Sequence, residues 1–260
     1  MAKGEAAVVY GVVRTLSELT DVDDPAWSYV AGLIGASPVP VEVLSPDRAR
    51  CEASLRQLQV SARSALGAVA LNTGGLLADH GWLRVYGGCG TPGGMPGIAE
   101  VNEFPAEPAP GGIPAHGLVI AHDVLGGVFA LNLATSPACG RPGEPGEVVY
   151  FAPDSMAWEP MEIGYGSWLT WALSDTPGRF YEDLRWPGWE NETAGLSPRQ
   201  GITVYPFLWS KEAHDNLAAT TRGPAAMQEL LGLHHEFHRQ LTAGPDPGFL
   251  GTIARPTGSA

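Results

Sequence analysis

The chain has 260 residues, 44% of them apolar, and a formal net charge of −13 from 28 acidic and 15 basic side chains. That charge opposes nucleic-acid binding, which rests on Lys and Arg displacing counterions from phosphates, and favours encounter with a basic protein. No apolar leader follows Met1 and no run approaches the roughly 18 apolar residues of a membrane span, so a cytoplasmic protein with no membrane or nucleic-acid partner is expected.

Asp24-Pro25 ahead of Trp27, Val30, Leu33 and Ile34 predicts a helix with Asp24 as N-cap and Pro25 at its first position. Val41–Leu44 reads as a short strand. Ser45-Pro46-Asp47 then opens a helix in which Cys51, Leu55 and Leu58 recur at helical spacing. From Leu66 onward, short apolar runs broken by glycine predict strands at Leu66–Leu71, Trp82–Tyr86, Leu118–Ala121, Val128–Leu133 and Val148–Phe151. The links are short and lack helical crossovers, which favours antiparallel pairing. Residues 87–114 contain eight glycines and six prolines and read as an excursion from the sheet; 136–146 reads as a second such loop. Helices return at Ser167–Ser174, around Arg179–Leu184 and at Pro224–Leu241, with a strand at Ile202–Phe207 between them. The expected architecture is one α+β domain over 14–241, with a mostly antiparallel central sheet, flanking helices and a loose tail at 242–260.

Most motifs that suggest chemistry fail on context. Gly88-Cys89-Gly90-Thr91-Pro92-Gly93 matches a dinucleotide fingerprint, but Pro92, Gly94, Pro96 and Gly97 leave no helix N-terminus to receive a pyrophosphate. Cys51, Cys89 and Cys139 lie far apart and suggest neither zinc nor a disulfide framework. His234 and His238 have the i, i+4 spacing of paired metal ligands, yet Arg239 breaks the H-E-x-x-H frame and Glu236 points to another side of the helix; two histidines at the edge of a core-facing stripe are expected instead. Ser167, followed by Trp168 and Leu169, is no nucleophile elbow and reads as a helix N-cap. Asp79, His80, His122 and Asp123 suggest a hydrolytic or metal-dependent site if they converge. Six tryptophans fall between Trp158 and Trp209, most of them expected in the core. Trp186 and Trp189, beside Arg185, Pro187 and Gly188, combine a structural bracket with the composition of a binding hot spot.

Several strings, in order, resemble a bacterial family, the domain-of-unknown-function family 2625. They are Asn72-Thr73-Gly74-Gly75-Leu76, Asp79-His80-Gly81-Trp82-Leu83-Arg84-Val85, Asp123-Val124-Leu125-Gly126-Gly127-Val128-Phe129, Val149-Tyr150-Phe151-Ala152-Pro153-Asp154 and Phe180-Tyr181-Glu182-Asp183-Leu184-Arg185-Trp186-Pro187-Gly188-Trp189. The likeness runs from about Arg14 to Leu241 and carries no catalytic residue. The succession of Gly127-x-Phe-x-Leu, a Val-x-Tyr-Phe strand, Trp158 and Ser167-Trp168-Leu169 is similar, more distantly, to the SUKH superfamily. That resemblance implies an α+β fold and an immunity-like role, binding and blocking a toxin domain. The resulting expectation is a non-enzymatic protein-binding module without cofactor or metal, recognising a basic partner through Trp82, Arg84, Asp123, Asn132, Trp186 and Trp189. The alternative is a small-molecule hydrolase or metal-binding enzyme using Asp79, His80, His122 and Asp123.

Overall fold

The computed structural model describes residues 12–89, 94–108, 117–133, 141–241 and 246–253. Side-chain caps start three of the first four helices. Thr15 and Glu18 form a reciprocal capping box on α1 (Leu16–Thr20), whereas α2 (Trp27–Gly35) begins without a side-chain cap. After β1 (Val41–Leu44), Asp47 accepts the Arg50 N–H to open α3 (Arg48–Leu58), and Ser64 accepts the Gly67 N–H to open α4 (Ala65–Asn72). The chain then forms β2 (Gly75–Ala78), β3 (Leu83–Tyr86), α5 (Ile98–Val101), β4 (Leu118–Asp123), β5 (Val128–Leu131), β6 (Glu147–Ala152) and β7 (Ala157–Gly164). There follow α6 (Tyr165–Ala172), α7 (Pro177–Phe180), α8 (Trp189–Ala194), β8 (Gln200–Tyr205), α9 (Lys211–Asp215), β9 (Thr221–Ala226) and α10 (Met227–Leu241). No helix among the described residues is long and apolar enough to cross a membrane.

β1 to β7 form one antiparallel sheet whose spatial order is the chain order, and β8 pairs with β9 in a separate ribbon. One register row crosses all seven strands: Glu42, Leu77, Arg84, His122, Val128, Phe151 and Trp158 face the same side. That side is covered by α10, by β8 and by residues 246–253. The His238 ring meets Phe151, Gln200 reaches Arg84, and Leu250 reaches His122. The opposite side presents Phe129 and Tyr150, and α6 packs Trp168 and Trp171 onto Phe129. Both faces are covered over the central strands, which is why β3 and β4 are buried at every position instead of alternating.

The α+β class and the antiparallel sheet agree with the sequence expectation, and several elements depart from it. Leu66–Leu71 is helix α4, not a strand. A short run that is apolar on every side carries no period, and the Ser64 cap decides for helix. The N-cap position of α2 is Ala26, not Asp24, and that of α6 is Gly164, so Ser167 lies inside the helix. Residues 224–226 pair with β8, which delays the last helix to Met227. The excursion holds a structural element in its described part: α5 buries Ile98, Ala99 and Val101, with Met95 just before it. Residues 90–93 and 109–116, and with them much of the discarded glycine fingerprint, lie outside the described residues, as does Cys139. The tail at 246–253 packs back onto the core, burying Leu250 and Ile253. Pro247 accepts from the Trp158 indole and Phe249 from Arg141.

Glycine is required where backbones touch: a Cβ on Gly88 would lie 1.8 Å from the Ala70 carbonyl oxygen and 2.9 Å from Cys51. Gly88→Ala is expected to destabilise the fold by about 1–3 kcal/mol through overpacking, read as a lowered urea midpoint at unchanged slope.

Candidate functional site

Adjacent residues on a strand point to opposite faces, and β4 uses this at its end. Asp123 lies on the α6 side, where Oδ1 accepts the Leu125 and Gly127 N–H groups, both at 2.9 Å. Its Oδ2 accepts the Tyr150 hydroxyl at 2.6 Å and the Tyr181 hydroxyl at 3.3 Å. Burial pushes its pKa up, while these four donors pull the other way. His122 lies on the α10 side, with Nε2 3.0 Å from the Leu250 carbonyl oxygen and Nδ1 against the Tyr86 hydroxyl. Burial, helped by the nearby Arg84 charge, lowers its pKa to about 3. The ring is therefore neutral; Nε2–H donates to Leu250 and Nδ1 accepts from Tyr86.

Asp79, His80 and Gly81 all have positive φ, and the Trp82 N–H closes the β2–β3 turn onto Asp79. Residues 80 and 81 thus form a type I′ turn. Asp79 is ion-paired with Arg185, and His80 lies edge-on to Trp189 with ring centroids 5.9 Å apart. Asp79, His80, His122 and Asp123 therefore occupy three separate environments and share no cleft.

The six residues expected to recognise a partner are placed mostly inside. Trp82, Arg84, Asp123, Asn132 and Trp186 are buried, and Trp189 is half-buried. Trp82, Trp189 and Tyr181 form a box around Arg185, whose guanidinium carbon lies 4.9, 4.0 and 5.6 Å from their ring centroids. Trp186 packs against Trp82 and donates its indole N–H to Glu192. The box is filled by the chain's own cation, so the structural bracket is what these indoles form. Asn132 donates to the Pro142 carbonyl at 2.6 Å. His234 and His238 do face the core, with Nδ1 at the Gly126 and Met156 carbonyls, 3.3 and 2.6 Å away. Among the described residues no group of three or more His, Cys, Asp or Glu side chains is placed to hold a metal ion.

Arg84 is different. It is 2% exposed, its Nη1 donates to the Gln200 carbonyl, and no carboxylate among the described residues lies within ion-pair distance. Burial lowers its pKa to about 10, so it stays charged at neutral pH. Arg84 lines a cleft of about 170 Å³ with Glu42, Leu77, His80, Leu196 and Pro198. Glu42 escaped the sequence reading, although the Val41-Glu42-Val43 alternation already assigns it one face of its strand.

A family model described as "Protein of unknown function DUF2625" matches residues 16–230. The chain belongs to this family. It is 34% identical over 232 residues to the uncharacterized protein YbfG of Escherichia coli (strain K12), covering 88% of this chain and 100% of that protein. It is 30% identical over 196 residues to an uncharacterized protein of Haemophilus influenzae (strain ATCC 51907 / DSM 11121 / KW20 / Rd), covering 75% of this chain and 83% of that one. No solved structure matches. The likeness to the SUKH superfamily thus rests on the order of sequence motifs alone.

Two measurements follow from the buried polar groups of this DUF2625 chain. Tyr150→Phe removes one of the four donors to Asp123 and is expected to cost about 1–3 kcal/mol in urea unfolding. His122 and His234, with pKa values near 3 and 4, protonate more readily in the unfolded chain, where the value is near 6.5. Their stabilisation is complete above about pH 6.5 and is lost as pH falls toward the folded values; the raised pKa of Asp123 acts in the opposite sense. Each imidazole is expected to remove about 2 kcal/mol between pH 6.5 and 5. The urea midpoint of His234→Gln, which cannot titrate there, should depend less steeply on pH than that of the wild type.

Proposed function

We propose that this protein acts by binding a basic protein partner, in an immunity-like role, and not by catalysis. The observation that carries this reading is the sorting of the ionisable groups. Asp79 is tied to Arg185, His122 to Tyr86 and Leu250, and Asp123 to its four donors. None of these candidate bases faces a nucleophile across a cleft.

The charge distribution supports a basic partner. Arg48, Arg185, Arg199, Lys211, Arg222 and Arg239 are each ion-paired within the chain. Acidic side chains outnumber basic ones by 28 to 15, so the net surface charge is negative. The edge strand β7 adds exposed Glu159 and Glu162, and Asp154 lies close enough to Glu159 to raise its pKa beyond the larger effect of burial. A partner with a basic face would be steered to such a surface, and salt would weaken the encounter.

The test is co-purification of the tagged full chain from its source bacterium at low salt and at about 0.5 M salt, where screening is nearly complete. A basic protein should be retained at low salt and released at high salt. Glu159→Lys combined with Glu162→Lys should slow its association roughly tenfold. Retention of no protein at low salt, or turnover of a small molecule that disappears in Asp79→Asn, would overturn the reading.

A further inference from the structure

We infer that the cleft over β1, β2 and β3 binds a small zwitterion, an amino-carboxylate whose anionic end meets Arg84 and whose ammonium end faces Glu42. This does not rest on the protein-partner reading. It rests on a buried guanidinium that forms no ion pair among the described residues and on what stands opposite it.

Arg185, Arg199 and Arg222 each have a carboxylate partner, Asp79, Glu100 and Glu192 respectively. Arg84 is more deeply buried than any of them, and its hydrogen bond goes to a neutral carbonyl, that of Gln200. A guanidinium carries five N–H donors in a planar fork suited to a carboxylate or phosphate, so most of this donor set is left for whatever enters the cleft that Arg84 lines. Asp123 acts on this buried charge only from a distance, without an ion pair, so part of the cost of burying the guanidinium stays uncompensated. A ligand carboxylate supplies the missing partner.

Two further groups shape the ligand. Glu42 is exposed, lies on the same register row as Arg84, and lines the same cleft from two strands away. At ladder spacings of about 4.8 Å the two Cα atoms stand about 10 Å apart, with Leu77 between them. The floor between the charges is thus apolar and suits a short aliphatic stem. A free anion would approach against the acidic side chain of Glu42 and a net charge of −13, whereas a zwitterion carries no net charge to repel. His80 stands on the cleft wall at φ +57, in a turn position where Asn or Gly is the easier residue. Its imidazole adds a hydrogen-bonding group to the cleft.

The experiment is calorimetric titration of the full chain with glycine, β-alanine, γ-aminobutyrate and 5-aminopentanoate, which lengthen the charge separation at constant chemistry. Acetate, methylamine and inorganic phosphate serve as single-charge controls. The expected result is millimolar or tighter binding that peaks at one chain length, with every control at least tenfold weaker. Arg84→Gln should abolish it. Glu42→Gln, on an exposed edge-strand position that folding does not need, should weaken the preferred zwitterion at least tenfold and erase the length preference. Failure of all four amino-carboxylates to bind the wild type overturns the inference. So does acetate or phosphate binding as tightly as the best of them, or a length preference that survives Glu42→Gln.

Discussion

A carboxylate taken out of water must recover its hydration from the protein, and the fold is arranged around one that does. Asp123 draws its four donors from three parts of the chain: the turn after β4, the middle of β6 and the residue following α7. Satisfying the charge fixes the β4–β5 turn and both tyrosine rings together. From those rings the order spreads outward, since Tyr150 and Tyr181 meet at Phe180, and Tyr181 also packs against Trp82. Gly127 is bound to the same constraint, because a Cβ there would lie 2.1 Å from Oδ2. The arrangement breaks easily from any side, since removing one partner leaves a buried charge short of donors.

The neighbouring imidazole belongs to another world. The sheet separates the two faces of β4, so His122 sits among Arg84, Tyr86 and the returning tail, out of reach of the Asp123 carboxylate on the far side. The side chains that interrupt this apolar interior serve two purposes. Asp123 and His122 are satisfied within the chain, whereas Arg84 feels the Asp123 charge at a distance and forms no ion pair among the described residues.

The parts of this architecture that could be read from sequence are those with a clear period or a clear punctuation mark. β3 to β6 are apolar runs bounded by glycine, and α3 shows helical spacing behind Asp47. What misled was apolar sequence without period, as at α4, and structure formed by residues of low strand propensity. The stretch Thr221–Ala226 becomes β9 because β8 lies beside it, and a tertiary partner of that kind leaves no local trace. The chemistry-bearing residues were found almost entirely by type, but their roles depend on facing. Strand parity along Asp79–Arg84 and His122–Asp123 decides which side chains meet, and parity becomes meaningful only once the register is known. The aromatic hot spot around Trp186 and Trp189 had the right composition and the opposite use, because Arg185 already fills it.

The returning segment 246–253 meets the core largely through main-chain oxygens: Pro247 serves Trp158, Phe249 serves Arg141 and Leu250 serves His122. A carbonyl is the same group whatever side chain it carries, so these contacts ask little of residue identity. Shape pins Pro247, Leu250 and Ile253, which are buried, Phe249, which packs against the core, Gly248 at φ +74 and Gly251, at φ +100 with its Cβ position 3.1 Å from Val101. A change of side chain that leaves the backbone path intact therefore leaves the Leu250 carbonyl over His122 in place.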